Sequence, residues 1–176
     1  MDALSDKELV KHYRNGDNKA FTLLTRRHQD RLYRLACIYL YHEQDAMDVT
    51  QEVFMRAYKG LLRFRFQSEP FTWLYRTLRN VCSEYNRKFT RDKEVLHDAD
   101  ERMMQIEDNS NTETTQHLIE IKELIKQLPR RQYEVVMLRI FEGLTIEETA
   151  CAMKCRPGTV KAMLNKAQKQ IRVLNG

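Results

Sequence analysis

Lys161, Asn165, Gln168 and Arg172 recur at helical spacing along one side of the C-terminal stretch, with Lys166 and Lys169 at the flanks. Lys and Arg donate to guanine edges and to phosphates, and Asn and Gln pair with adenine edges. The opposite side carries Val160, Met163, Leu164, Ala167, Ile171 and Leu174, an apolar stripe of helical period. Periodicity alone fits an amphipathic helix whose basic face is merely solvated. The residues before it favour more than that. Thr145 and Glu148 form a Thr-x-x-Glu capping box, which predicts a helix starting at Thr145 with Ile146, Ala150 and Met153 on one face. Lys154-Cys155-Arg156 makes a turn, punctuated by Pro157-Gly158. A capped short helix, a tight turn and a basic second helix form a helix-turn-helix, the arrangement that lays its second helix in the major groove of DNA.

A second constellation has a different chemistry. Phe64 and Phe66 alternate with Arg63 and Arg65, ahead of a helix capped by Ser68 with Pro70 in its first turn. On that helix Trp73, Arg76 and Asn80 share one face, with Arg79 nearby, while Leu74, Leu78, Val81, Cys82 and Tyr85 form the apolar side. Aromatic rings interleaved with arginines suit single-stranded nucleic acid, where bases stack and phosphates need cations. The plain alternative for the rings is the core. A third set, Asp45, Asp48, Gln51 and Glu52 with Met55, falls on the outside of a helix predicted from Glu43 to about Leu62, opposite Ala46, Val49, Val53, Ala57 and Leu61. An acidic strip repels DNA, so it is either solvated or a docking surface for a protein.

The elements that must position these residues are helices. Ser5 and Glu8 form another capping box, and Asn15-Gly16 stops the helix it starts. A second helix is predicted from Asp17 to about Tyr41, with Phe21, Leu24, His28, Leu32, Leu35 and Ile38 on its apolar side. Gly and Pro are scarce, five and three in 176 residues, and strand-like alternation is almost absent, so the expected fold class is all-α. At 42% hydrophobic residues the chain can bury a core. Its length fits one domain or two small ones, and charge favours two. Residues 1–90 and 118–176 each carry a net charge of +5, whereas residues 91–117 carry −5 and no aromatic residue. The expected organisation is therefore a basic helical domain over 1–90, an acidic flexible linker over 91–117 with a short helix around Glu101 to Ile106, and a second basic helical domain over 118–176. Two basic domains point to two separate contacts with a polyanion.

Several function classes find no support. No apolar run approaches the roughly 20 residues of a membrane span, and the polar N-terminus lacks a signal-peptide core, so a cytoplasmic protein without membrane insertion is expected. No glycine-rich phosphate loop, His-Glu-x-x-His or nucleophile motif points to an enzyme, and no cofactor is expected. Cys37, Cys82, Cys151 and Cys155 match no disulfide framework or standard zinc spacing. Cys151 and Cys155 with His97 or His117 would be the one metal or redox reading, and reduced thiols without metal are expected instead.

At this point the residues resemble a known family. Asp45-Ala-Met-Asp-Val-Thr-Gln-Glu-Val-Phe-Met-Arg-Ala-Tyr58 resembles region 2.2 of bacterial sigma-70-type initiation factors, and Phe71-Thr-Trp-Leu-Tyr-Arg-Thr-Leu-Arg-Asn80 resembles their region 2.3–2.4. Leu128-Pro-Arg-Arg-Gln-Tyr-Glu-Val-Val-Met-Leu-Arg139, Glu142 to Ala150 and Pro157-Gly-Thr-Val-Lys161 resemble region 4. With only these two regions, the chain resembles the extracytoplasmic-function (ECF) group. The resemblance implies that Asp45, Asp48, Gln51 and Glu52 dock on the clamp helices of the β′ subunit of core RNA polymerase. It implies that Phe64, Phe66, Phe71, Trp73, Arg76, Arg79 and Asn80 capture the melted −10 strand of promoter DNA. It implies −35 duplex binding by Lys161, Asn165 and Lys166, with Arg156, Thr159 and Lys169 on phosphates. The Tyr133 to Phe141 helix would pack on the β flap, the linker would follow the RNA-exit path, and an anti-sigma factor would hold the protein inactive. After Lys161 the family often has Ser-Arg, where Ala162-Met163 stands here. The alternative reading is a stand-alone helix-turn-helix regulator that binds duplex tightly by itself.

Overall fold

The computed structural model describes residues 4–40, 42–92, 125 and 127–174. Backbone contacts divide the chain into two compact units, Met1–Met104 and Gln105–Gly176. Every regular element among the described residues is helical. The predicted linker falls outside them, except for residues 91–92, which continue a helix; the short helix expected around Glu101 falls outside them entirely.

In the N-terminal unit α1 spans Asp6–Arg14. Both halves of its capping box form: Ser5 Oγ accepts from the Glu8 N–H, and Glu8 accepts from the Ser5 N–H. Gly16, at φ 98°, then takes the left-handed backbone that turns the chain away. Helix α2 spans Asn18–Ala36, capped by Asp17, which accepts from the Lys19 N–H. It stops five residues short of Tyr41. Cys37, Ile38, Tyr39 and Leu40 are all buried, and four successive residues cannot share one helix face. The chain therefore tightens into a turn, with Ile38 and Tyr39 donating to Leu35 and Ala36 carbonyls. Helix α3 spans Glu43–Gly60 and runs into a 3₁₀ turn, Leu61–Arg63. Helix α4 spans Pro70–Asp92. It begins at Pro70 with the Trp73 N–H on the Glu69 carbonyl, so Glu69 holds the N-cap position expected of Ser68.

The four helices pack around Leu9, Leu24, Leu32, Leu35, Leu61, Leu74 and Leu78, each at most 1% exposed. Burying one such side chain is worth about 1.5–3 kcal/mol before chain entropy is counted. The predicted apolar stripe of α3, Ala46, Val49, Val53 and Ala57, is likewise buried. Small residues there bring α2 and α4 close to the same helix. Tyr39 and Tyr75 meet hydroxyl to hydroxyl at 2.6 Å inside the unit.

In the C-terminal unit α5 spans Arg130–Val136 and continues as a π-helical turn, Met137–Phe141. The Glu142 N–H donates to the Met137 carbonyl five residues back, at 3.0 Å. Helix α6 spans Ile146–Met153 behind the Thr145–Glu148 capping box, and both bonds of that box form. Helix α7 spans Pro157–Leu174. The predicted turn needs correction at its far end. Lys154, at φ 52° and ψ 50°, makes the turn, but Pro157 and Gly158 open α7 instead of breaking the chain. A proline suits the first helical position, where its missing N–H would have no helical partner. Helices α5 and α6 both pack on α7. Leu138, Met153, Val160 and Ala167 form the centre of this core.

Candidate nucleic-acid interface

The turn between α6 and α7 delivers a basic surface. Arg156, Thr159, Lys161, Asn165, Lys166 and Lys169 are all exposed, as are Gln168 and Arg172. Val160 and Ala167, fully buried, hold the other side of α7 against α5 and α6. All six residues expected at the duplex thus share one accessible helix and the turn before it. Met163 and Leu164 are half-buried, as the apolar stripe requires, so neither is placed to replace a cation.

The strand-capturing set divides. Trp73, Arg76 and Arg79 are half-buried, Asn80 is exposed, and Phe66 is half-buried. Phe64 and Phe71, expected on that surface, are 5% and 6% exposed. Phe64 packs edge-on against Phe66 and Trp73, with ring centroids 5.0 and 6.0 Å apart. Phe71 lies 5.2 Å from the His28 ring and 3.8 Å beneath the Arg31 guanidinium. Both rings are thus buried, Phe64 against the loop and Phe71 at the start of α4. The arginine and histidine around Phe71 are what a buried ring gains from long-range packing.

The acidic strip of α3 divides similarly. Asp45 accepts from the Tyr85 hydroxyl at 2.6 Å. That bond, with some burial, pushes the Tyr85 phenol up to about 12. Arg56 bridges Glu52 at 2.7 Å and Glu84 at 2.8 Å, tying α3 to α4. Asp48 accepts from Gln44 at 3.1 Å, and both Asp48 and Gln51 are exposed. Beside Gln51 a 540 Å³ groove opens between α2 and α3, lined by Phe21, Thr25, Phe54, Met55 and Tyr58. Met55 is 67% exposed on its rim. On the C-terminal unit the π turn presents Ile140 and Phe141, 66% and 47% exposed, while Tyr133 is buried at 7%.

The sigma-70 region 2 family model matches residues 24–92, and the sigma-70 region 4 model matches residues 118–171. The chain belongs to the sigma-70 family of RNA polymerase sigma factors. It is 30% identical over 176 residues to the RNA polymerase sigma-H factor of Pseudomonas aeruginosa, covering 94% of this chain and 91% of that one. It is 33% identical over 178 residues to the ECF RNA polymerase sigma-E factor of Escherichia coli strain K12, covering 96% and 93%. Its fold is similar to that of CnrH in complex with the cytosolic domain of CnrY, with a TM-score of 0.68, 21% identity and 96% of each chain covered. The sigma factor RpoE of Bartonella quintana, solved with the anti-sigma factor NepR, gives a TM-score of 0.69 at 22% identity, over 89% of this chain and 96% of that one.

This sigma factor is of the ECF group, an alternative sigma factor that directs transcription initiation. Region 2 takes in most of α2 with all of α3 and α4, and region 4 contains α5 to α6 and nearly all of α7. Both halves are therefore accounted for, which leaves no unassigned N-terminal half to serve as the effector domain of a stand-alone regulator. Among the described residues no helix is long and apolar enough to cross a membrane, and no His, Cys, Asp and Glu are grouped to hold a metal. Cys37 and Cys82 are buried, Cys151 is exposed and Cys155 half-buried, while His97 and His117 fall outside the described residues.

Sequence reasoning missed the contacts that brace the region 2 surface. Asp6 accepts from His28 Nε2 at 2.6 Å and from Arg27 Nη1 at 2.7 Å. Arg31 Nη1 stands 3.4 Å from His28 Nδ1, and arginine can only donate, so Nε2 is the nitrogen that donates to Asp6. His28, placed on an apolar stripe, is thus a buried polar link between α1 and α2. Gly60 lies against the Trp73 ring, where a Cβ would stand 2.7 Å from Cη2. The Asp6 and Gly60 contacts join residues more than ten apart in sequence, beyond the reach of local periodicity.

Proposed function

We propose that this sigma factor holds promoter DNA at two places, with region 4 reading the −35 duplex and region 2 capturing the melted −10 strand. Lys161, Asn165 and Lys166 reach base edges, and Arg156, Thr159 and Lys169 hold phosphates. Trp73, Arg76, Arg79 and Asn80 meet the strand together with Phe66, while Phe64 and Phe71 stiffen the loop from within. The observation that carries this reading is the exposure of all six region 4 residues on one helix and turn whose other side is core. The domain limits in this reading are 1–90 and 118–176, joined by residues 91–117.

Asp45, Asp48, Gln51 and Glu52 dock on the β′ clamp helices of core polymerase. Asp48 and Gln51, both exposed, make the direct contact, while half-buried Asp45 and Glu52 are held by Tyr85 and Arg56. The neighbouring groove and Met55 supply the apolar part of that interface, and Ile140 and Phe141 supply the contact with the β flap. The protein works in the cytoplasm, where the polymerase is, and an anti-sigma factor competes for these surfaces; the RpoE–NepR complex supports such a partner.

Asp48→Arg tests the docking claim. The substituted side chain is exposed, so folding is expected to be unchanged by circular dichroism. Holoenzyme yield in a pull-down with core polymerase is expected to fall at least tenfold, about 1.4 kcal/mol or more, as like charges are brought together. Wild-type yield from the folded variant would remove Asp48 from the interface.

A further inference from the structure

We propose that α1 is a clasp for the strand-capturing loop and that Arg14 is its positioning residue. Arg14 is exposed at the last turn of α1. Its Nη1 donates to the Phe64 carbonyl at 3.3 Å, and its guanidinium stands 5.7 Å from the centre of the Phe66 ring. Phe66 needs such a hold. Its φ of 56° lies in the left-handed region, where the Cβ of a non-glycine residue crowds the following carbonyl. A residue in that region persists only when its surroundings over-determine it. Here the surroundings are the Phe64 ring on one side and Arg14 on the other.

The clasp closes at both ends of the loop. Lys7, at the start of α1, pairs with Glu69 immediately before α4. Behind it the Tyr13 hydroxyl donates to the Tyr58 carbonyl of α3, and Asp6 ties α1 to His28 and Arg27 of α2. Thus α1 is anchored on α2 and α3 and reaches over to the loop. The region 2 match begins at residue 24, so none of α1 belongs to it. The clasp joins a helix outside the region 2 match to a loop inside it. Its effect is to hold Phe66 in the conformation that offers its ring. Without Arg14 the backbone relaxes to negative φ, and ordering the loop again is charged to strand binding.

This proposal rests on the strand-capture reading, so its test includes a control for that reading. Holoenzyme carrying the full-length chain is titrated with a fluorescent non-template single strand, taken from a promoter mapped with that holoenzyme, and with a scrambled strand. Arg14→Ala is expected to weaken binding of the promoter strand about tenfold, the low end of what such backbone strain represents. Its holoenzyme yield and −35 duplex affinity are expected to match wild type. The slope of log affinity against log salt is expected to stay the same, because a positioning residue neutralises no phosphate. In a Phe66→Ala background, Arg14→Ala is expected to cost nothing more. A slope shallower by about 0.7, with additive effects, would make Arg14 a phosphate ligand and overturn the clasp. Unchanged strand affinity in Arg14→Ala would overturn it as well. A wild-type holoenzyme that fails to distinguish promoter strand from scrambled strand would instead overturn the strand-capture reading, and the clasp with it.

Discussion

Asp6→Ala is the most exacting test of how the N-terminal unit is held together. Asp6 lies at the start of α1 and accepts two hydrogen bonds, from His28 Nε2 at 2.6 Å and Arg27 Nη1 at 2.7 Å. The two arms differ in worth. Arg27 is 30% exposed and keeps water and the Leu4 carbonyl as partners, so its share is small. His28 is 1% exposed, and truncation leaves a buried N–H without an acceptor, which costs about 1–3 kcal/mol. Loss of a carboxylate from the first turn of α1 adds about 0.5 kcal/mol. The expected total is about 2–3 kcal/mol, a large part of the 5–15 kcal/mol typical of a domain. Trp73 is the chain's one tryptophan, so urea unfolding followed by its fluorescence isolates the N-terminal unit. With an m-value of about 1–3 kcal/mol/M, the midpoint is expected to fall by roughly 0.7–3 M. A loss under about 0.5 kcal/mol would mean that the buried His28 N–H does not depend on Asp6. Acidity gives a second check. Burial raises the Asp6 carboxyl, but hydrogen bonds from His28 and Arg27, with the Arg27 charge, outweigh it and hold the folded value below the usual 3.8. A depressed folded value means that the stabilisation is complete above the unfolded value and is lost as pH falls through the folded one. The gap between wild type and Asp6→Ala is therefore expected to be full at pH 7 and to narrow below about pH 4.

Two further substitutions separate stability from recognition. In Gly60→Ala the new Cβ would stand 2.7 and 2.9 Å from the Trp73 ring. A gain in helix propensity of about 1 kcal/mol offsets most of an overpacking cost of about 1–3 kcal/mol, because the half-exposed ring can swing aside. Unfolding by urea is expected to shift little while promoter opening, read by permanganate reactivity, falls several-fold; normal opening would deny Trp73 its role. Lys161→Ala is expected to cost about 1–3 kcal/mol at the −35 element, measured by gel shift with holoenzyme. The loss is expected to disappear on templates with a substituted −35 base, and an equal loss on every template would make Lys161 a phosphate contact.

Features written in adjacent residues were legible in the sequence. The two capping boxes, the Asn15-Gly16 stop, the apolar stripe of α3 and the Val160–Ile171 part of that of α7 need only local spacing, and the chain forms each of them. The Pro157-Gly158 pair shows the limit of such reading. The same dipeptide suits a turn or a helix start, and only the left-handed Lys154 decides that the turn is already complete. Alternation of Phe and Arg from Arg63 to Phe66 did not reveal which rings are buried. Burial of Phe64 and Phe71 depends on Trp73, Arg31 and His28, which other elements supply. The π turn at Met137–Phe141 carried no compositional mark, yet it is what leaves Ile140 and Phe141 outside while Leu138 is fully buried.

Reconstituted transcription reads out promoter recognition by both domains at once. The full-length chain and core RNA polymerase are combined with fragmented genomic DNA, and the start sites are mapped. Starts absent with core alone are expected, preceded by two shared sequence blocks near −10 and −35, with the −35 block losing its influence in Lys161→Ala. Transcription no greater than that of core alone, or starts sharing no upstream blocks, would contradict that recognition.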